Sequence, residues 1–204
     1  LGRIMSAQGL AAVWSAGNTR EAIFDALRRG ETYATSGPRI GLRVFGGWGY
    51  EQALLGDAAY LDKAYAGGVP MGGDLPARPA DAGAPRLLIR AAKDPDGANL
   101  DRVQVIKGWL DADGQRQEKI FEVAWSGERA LDPVTGKLPP VGSTVDVAAA
   151  NYTNTIGAAA LEVLWEDPEF DPTVRAFYYV RVLEIPTPRW TAYDAAYFKV
   201  KLDP

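Results

Sequence analysis

Two alternating stretches, RVQVIKGWL (residues 102–110) and QEKIFEVAW (residues 117–125), are joined by the short turn sequence DADG. A period of two is the mark of a half-buried strand, and Asp with Gly supplies the side-chain bonding and backbone freedom of a tight turn. The pair therefore predicts a β-hairpin. Val103, Val105 and Lys107 fall on one face, with Gln104 and Ile106 on the other.

The same signature recurs on either side. RLLIRAAK (86–93) is bounded by DPDG, and RAFYYVRVLEI (175–185) carries the clearest alternation in the chain. In the latter, Phe177, Tyr179, Arg181 and Leu183 take one side, and Ala176, Tyr178, Val180 and Val182 the other. Pro186 and Pro188 end it, since neither can donate to a ladder. ALEVLWEDPEFDP (160–172) gives a short strand or helical turn with an acidic break. WTAYDAAYFKVKL (190–202) reads as a closing strand on a sheet edge. Residues 126–160, rich in Gly, Pro, Thr and Asn, read as mostly loop. Hairpins in series point to an antiparallel β-sandwich.

The front of the chain is different. In NTREAIFDALRRGETYATSGPRI (18–40), Asn18 is a fitting N-cap with Glu21 three residues on. Ile23, Phe24 and Leu27 form an apolar stripe, Arg28 and Arg29 suit the negative end of the helix dipole, and Gly30 suits a C′ position. The stretch predicts a helix over 18–30, then two short strands around Ser36-Gly37-Pro38. From Trp48 to Pro85 a short helix between Glu51 and Tyr65 precedes a Gly- and Pro-rich arm. Its MGGDLP reads as a loop over the core, because no helix opening with Lys and Ser or Thr follows to make a phosphate cradle.

Composition narrows the chemistry. The 204 residues contain no Cys and no His, which excludes disulfides, thiolate or imidazole metal sites, and any Ser-His-Asp triad. Net charge is −4 and the pI about 5.0, the opposite of a nucleic-acid footprint. No apolar run approaches the roughly 20 residues that span a bilayer. LGRIMSAQGLAAVW at the start is too short in its apolar part and too weakly basic for a secretory signal; if the chain belongs to an exported protein, its signal is expected upstream.

Three features could carry chemistry, and each has a plainer reading. DPDG and DADG resemble the opening of a calcium loop but lack the closing bidentate Glu, which favours turns. EDPEFD (Glu166 to Asp171) could offer oxygen ligands to a hard cation, although such clusters are more often caps and turns. Trp48, Trp109, Trp125, Trp165 and Trp190, with Tyr152, could line a sugar platform on a sandwich; core packing is favoured.

GLAAVWSAGNTREAIFDALRRGETYATSGPRI, FGGW, AGGVPMGGDLP, RVQVIKGWLDADG and YTNTIGAAALEVLWEDPEFDPTVRAFYYVRVLEIPTPRWTAYDA together resemble a bacterial family of exported proteins classed as a domain of unknown function. Its upstream part is similar to the PHP (polymerase and histidinol phosphatase) metal-dependent hydrolases. The resemblance runs from about Gly9 to Ala195 and implies that this chain is the family's C-terminal portion. Residues 1–47 would then be the end of a PHP-like α/β barrel, with the helix about 18–30 and strands about 32–46. Residues 48–85 would be a connecting arm, and 86–204 a β-sandwich-like domain. The expected fold is mainly β with minor α.

The resemblance further implies that the metal ligands lie upstream, so no cofactor is expected here and a divalent metal only in the parent's barrel. Some relatives carry cysteines near the C-terminal Arg-Trp; PTPRW here has none. Expected partners are the upstream barrel and, through the apolar face of the 18–30 helix, a second copy; neither nucleic acid nor a transmembrane segment is expected. The compartment implied is periplasmic or extracellular. No catalytic or metal residue is expected, while Thr35, Ser36 and Arg39, at the end of the presumed barrel strand, are candidates to approach substrate, with Arg39 able to hold an anion. The function expected is that of an accessory region of a PHP-like hydrolase, catalytically silent alone. The alternative is a free-standing sandwich module binding carbohydrate or protein through exposed aromatics.

Overall fold

The structure, a computed structural model, describes residues 9–200. It is mainly β, with three antiparallel sheets and few helices. Residues 1–8, and the last residues of the stretch 190–202, lie outside the described residues.

The sheet at the centre has the order β4-β3-β5-β8, built from β3 (Gly41–Gly47), β4 (Val69–Pro70), β5 (Arg86–Ala92) and β8 (Ala160–Glu166). Facing it is a sheet of β6 (Leu100–Leu110), β7 (Arg116–Trp125) and β9 (Ala176–Glu184) in the order β7-β6-β9. One apolar cluster draws on both: Leu42, Leu87, Ile89 and Leu161 from the first, Val103 and Val105 from the second. The predicted hairpin is β6–β7, and its register places Val105 opposite Phe121.

β5 is apolar at both phases, and the structure shows why. Leu87, Ile89 and Ala91 point to the shared cluster, while Leu88 joins Phe45, Tyr50 and Ala64 on the opposite face. That second face is covered by a 3₁₀ helix (Gln52–Gly56) and helix α2 (Tyr60–Gly67), which supply Leu54, Leu55 and Leu61. The arm is thus the outer layer over the four-stranded sheet. Each fully buried side chain such as Phe45 or Leu88 contributes about 2–3 kcal/mol of burial. The Tyr50 hydroxyl donates to the Ala64 carbonyl at 2.5 Å inside this layer, and burial pushes its phenol up to about 12.

At the front, β1 (Leu10–Val13), helix α1 (Arg20–Arg29) and β2 (Thr32–Thr35) form a separate unit. The cap is Thr19, not the expected Asn18. Thr19 Oγ1 accepts from the Ala22 N–H at 3.2 Å, because the helix begins one residue later than its polar signal. Gly30 closes the helix at φ 72°, as its left-handed position requires. β1, which carried no sequence prediction, pairs antiparallel with β2. Among the described residues no barrel forms.

Buried Glu31 fastens this unit to the rest. It accepts from Arg29 Nε at 2.8 Å and from the Tyr65 hydroxyl of α2 at 2.5 Å. Arg43 donates to the same hydroxyl at 3.1 Å and lies over the Trp14 ring at 3.7 Å, and Trp14 Nε1 donates to the Leu42 carbonyl at 2.7 Å.

One sequence prediction fails outright. The closing strand expected from Trp190 is helix α3 (Trp190–Phe198). Ala192, Ala195 and Ala196 are strong helix formers and here outweigh the strand preference of the aromatic residues among them. Residues 126–159 are loop, as expected, apart from the isolated bridge between Asp146 and Asn151 and that of Ala158 with Leu100.

Candidate functional site

The two facing sheets close on one side and part on the other. Where β7 meets β8, Phe121 packs on Trp165 at 5.2 Å between ring centroids, and Trp165 on Tyr178 at 6.1 Å. At the opposite side, between β9 and the β3–β4 edge, a cavity of about 930 Å³ opens. Its walls include Leu42, Val44 and Leu87 from one sheet and Val180 and Val182 from the other, members of the shared apolar cluster or packed on it. Its volume lies at the upper end of the range typical of small-molecule sites.

The rim is polar and comes from local turns. After β2 the chain reverses at Gly37, whose φ of 144° suits glycine, and the Gly37 N–H donates to Thr35 Oγ1 at 3.3 Å. Thr35 and Ser36 are thereby set on the cavity wall. Asp74 and Leu75 of the MGGDLP loop also line the cavity, the loop being held where Gly72, at φ 83°, meets the backbone of Gly30. At one end Glu184 contributes a carboxyl with its Oε1 buried and unpartnered. Burial, with Asp94 nearby, raises its pKa above the ordinary value.

The three sequence candidates separate here. Thr35 and Ser36 share the cavity, whereas Arg39 turns to the DPDG turn. Its backbone N–H donates to Asp94 Oδ2 at 2.6 Å, and its guanidinium reaches Asp94 Oδ1 at 3.3 Å and Asp96 Oδ2 at 2.8 Å. Backbone N–H bonds from Arg39 and Asp96 are the main reason the Asp94 pKa is lowered.

The acidic stretches are occupied by protein partners. In DPDG, the Lys93 ammonium donates to the carbonyls of Asp94, Pro95 and Gly97 at 2.8 to 3.0 Å. In DADG, Asp111 accepts from the backbone of Asp113 and Gln115 and from the Gln117 amide. In EDPEFD, Glu166 pairs with Arg86, Asp167 with Lys107, Glu169 with Lys119, and Asp171 accepts from Thr173. Among the described residues no three His, Cys, Asp or Glu side chains come together in a way that could hold a metal.

The tryptophans do not assemble into a row. Trp165, partly buried, packs against the core cluster, Trp125 Nε1 donates to the Arg129 carbonyl at 2.7 Å, and Trp48 sits against Phe170 at 5.9 Å. Only Trp190 is largely exposed, at 61%. An exposed, stacked aromatic pair lies instead on the outer face of β9, where Phe177 and Tyr179 have ring centroids 6.4 Å apart and planes 15° apart. Phe177 lies over Gly108 of β6, where a Cβ would meet its ring. The readable signal was the alternation of β9, which already put both rings on one side, opposite a glycine.

Among the described residues no helix is long and apolar enough to cross a membrane. Searches of curated proteins and of solved structures returned no match. The sequence does match, over residues 2–204, the family described as "Protein of unknown function (DUF3604)". With the match running over nearly the entire sequence, the chain is a member of the DUF3604 family.

Proposed function

We propose that this chain is the C-terminal accessory region of an exported PHP-like metal-dependent hydrolase and is not catalytic by itself. The observation that carries the reading is the state of α1. Phe24 and Leu27, one turn apart on the helix, are 57% and 53% exposed, although their stripe has the spacing of a packed face. A two-stranded ribbon with such a helix is marginal on its own, and covering it by a further folded unit would complete it. The upstream barrel of the parent protein is the proposed cover, and the divalent metal would be held there. On this reading Thr35 and Ser36, at the cavity rim beside the ribbon, are the residues of this chain nearest a shared substrate. Arg39 would first have to leave Asp94 and Asp96.

Hydrogen exchange tests the proposal. In the chain extended upstream through the barrel, the amides of Ile23 to Leu27 should exchange markedly more slowly than in the chain alone. Equal exchange in the two proteins would overturn it.

A second reading, a binding module working through exposed aromatics, is favoured by the Phe177–Tyr179 pair. Its test is a change in intrinsic fluorescence or ring NMR signals on adding soluble oligosaccharides.

A further inference from the structure

The sheets are unequal: four strands, β4-β3-β5-β8, face three, β7-β6-β9. The deficit lies at the cavity. β9 runs for nine residues and pairs with β6 alone, so among the described residues no strand meets its other edge. Along that edge alternate residues turn N–H and C=O groups away from β6, toward the open side. Both defects coincide, since the unpaired edge borders a volume walled by Leu42, Val44, Val180 and Val182.

An apolar small molecule could fill the volume but would leave the backbone edge unmatched. A polypeptide strand satisfies both, with its amides on β9 and every second side chain in the cavity. The charge pattern fixes the other phase. Arg181 projects from the outer face of β9, is exposed, and donates from Nε to Gln104 Oε1 at 2.9 Å. Among the described residues it makes no ion pair. A strand laid beside it would bring its own outward side chain within reach, where opposite charges attract.

We propose that β9 accepts an additional β-strand from another polypeptide segment: extended, apolar at alternate positions facing the cavity, and acidic at the outward position beside Arg181. This stands apart from the reading of α1, which rests on Phe24 and Leu27 and not on the edge of β9.

The probe is a blocked nonapeptide, acetyl-Thr-Val-Thr-Val-Glu-Val-Thr-Val-Thr-amide, titrated into isotope-labelled protein. Amide signals of Tyr178 to Leu183 and of Leu42 and Val44 should shift together and saturate. A copy with alternate amides N-methylated, unable to complete the ladder, should bind at least tenfold more weakly. Arg181→Glu, at an exposed site, should weaken the Glu peptide about tenfold and restore affinity for a peptide carrying Lys at that position. Equal binding of the methylated and unmethylated peptides overturns the proposal, as does absence of saturable shifts up to millimolar peptide. So does a response confined to an oligosaccharide such as cellohexaose with shifts only around Phe177 and Tyr179.

Discussion

The Lys107 ammonium lies 2.6 Å from Asp167 Oδ2, with the lysine 6% and the aspartate 2% exposed. The Tyr178 hydroxyl donates to the same oxygen at 2.6 Å, and the Glu169 carbonyl takes a further ammonium N–H at 2.7 Å. Burial and the Asp167 carboxylate together raise the Tyr178 pKa. This cluster ties β6 and β9 to the acidic turn after β8. Removing one charge strands the other in a low-dielectric setting. Asp167→Ala is therefore expected to destabilise by about 3–5 kcal/mol in urea titrations, while Lys107→Met combined with Asp167→Leu should recover much of that loss. A small cost for the single variant would show that the pair is hydrated in solution.

Gly72 tests how the cavity rim is held. Its φ of 83° strains any other residue, and a Cβ there would press on the Gly30 backbone, with Gly30 Cα at 2.7 Å. Gly72→Ala should cost at least about 2 kcal/mol and loosen the C-cap of α1. Gly41→Ala, where nothing lies within 4 Å of the added Cβ, should be nearly neutral. Thermal melts of the two variants give the comparison directly.

Two carboxyls, buried Glu31 and half-buried Glu184, should pull stability in opposite directions with pH. Burial opposes ionisation of Glu31, but hydrogen bonds from Tyr65 and Arg29 outweigh it and hold its pKa below 4.5. Its contribution is therefore present above that ordinary value and is lost as pH falls through the lower folded one. Glu184 is raised above 4.5 by burial and by Asp94. Its cost to the fold builds as pH rises from 4.5 to the raised value, is complete above it, and vanishes below 4.5, where both states are protonated. Glu184→Gln should raise Tm at neutral pH, with an advantage that shrinks to nothing in mild acid. A pH-independent effect would contradict the assignment.

The exposed stripe of α1 predicts behaviour in solution. The isolated chain should self-associate through Phe24 and Leu27, and Phe24→Ser with Leu27→Ser should leave a monomer of unchanged stability within about 0.5 kcal/mol. Sedimentation velocity decides it. An unsubstituted isolated chain that stays monomeric at high concentration would show that the stripe needs no cover.

The strands that alternate were readable because one periodicity had one physical cause. β6, β7 and β9 each show it, and the Asp-Gly turn between β6 and β7 fixed their pairing. What was not readable depended on neighbours distant in sequence. Trp190 to Phe198 carries enough apolar residues for either a strand or a helix, with Ala192, Ala195 and Ala196 favouring the helix that forms and its aromatic residues the strand that does not. The value of Leu88 as a second-face residue appears only once α2 lies over it. The cavity itself was not legible: Thr35 and Ser36, named through the family resemblance as the end of a barrel strand, line it, while Glu184 and the free edge of β9 exist as site features only because two sheets part there. Arg39 shows the reverse case, a residue with the right chemistry for an anion that the fold commits to Asp94 and Asp96.

The most direct test of the account is metal-dependent hydrolysis of a generic aryl phosphate, measured on this chain alone and on the same chain extended upstream through the proposed barrel. Hydrolysis only by the extended protein is the predicted result and would make this region an accessory. Hydrolysis by the chain alone would contradict it and direct attention to the carboxylates between Glu166 and Asp171.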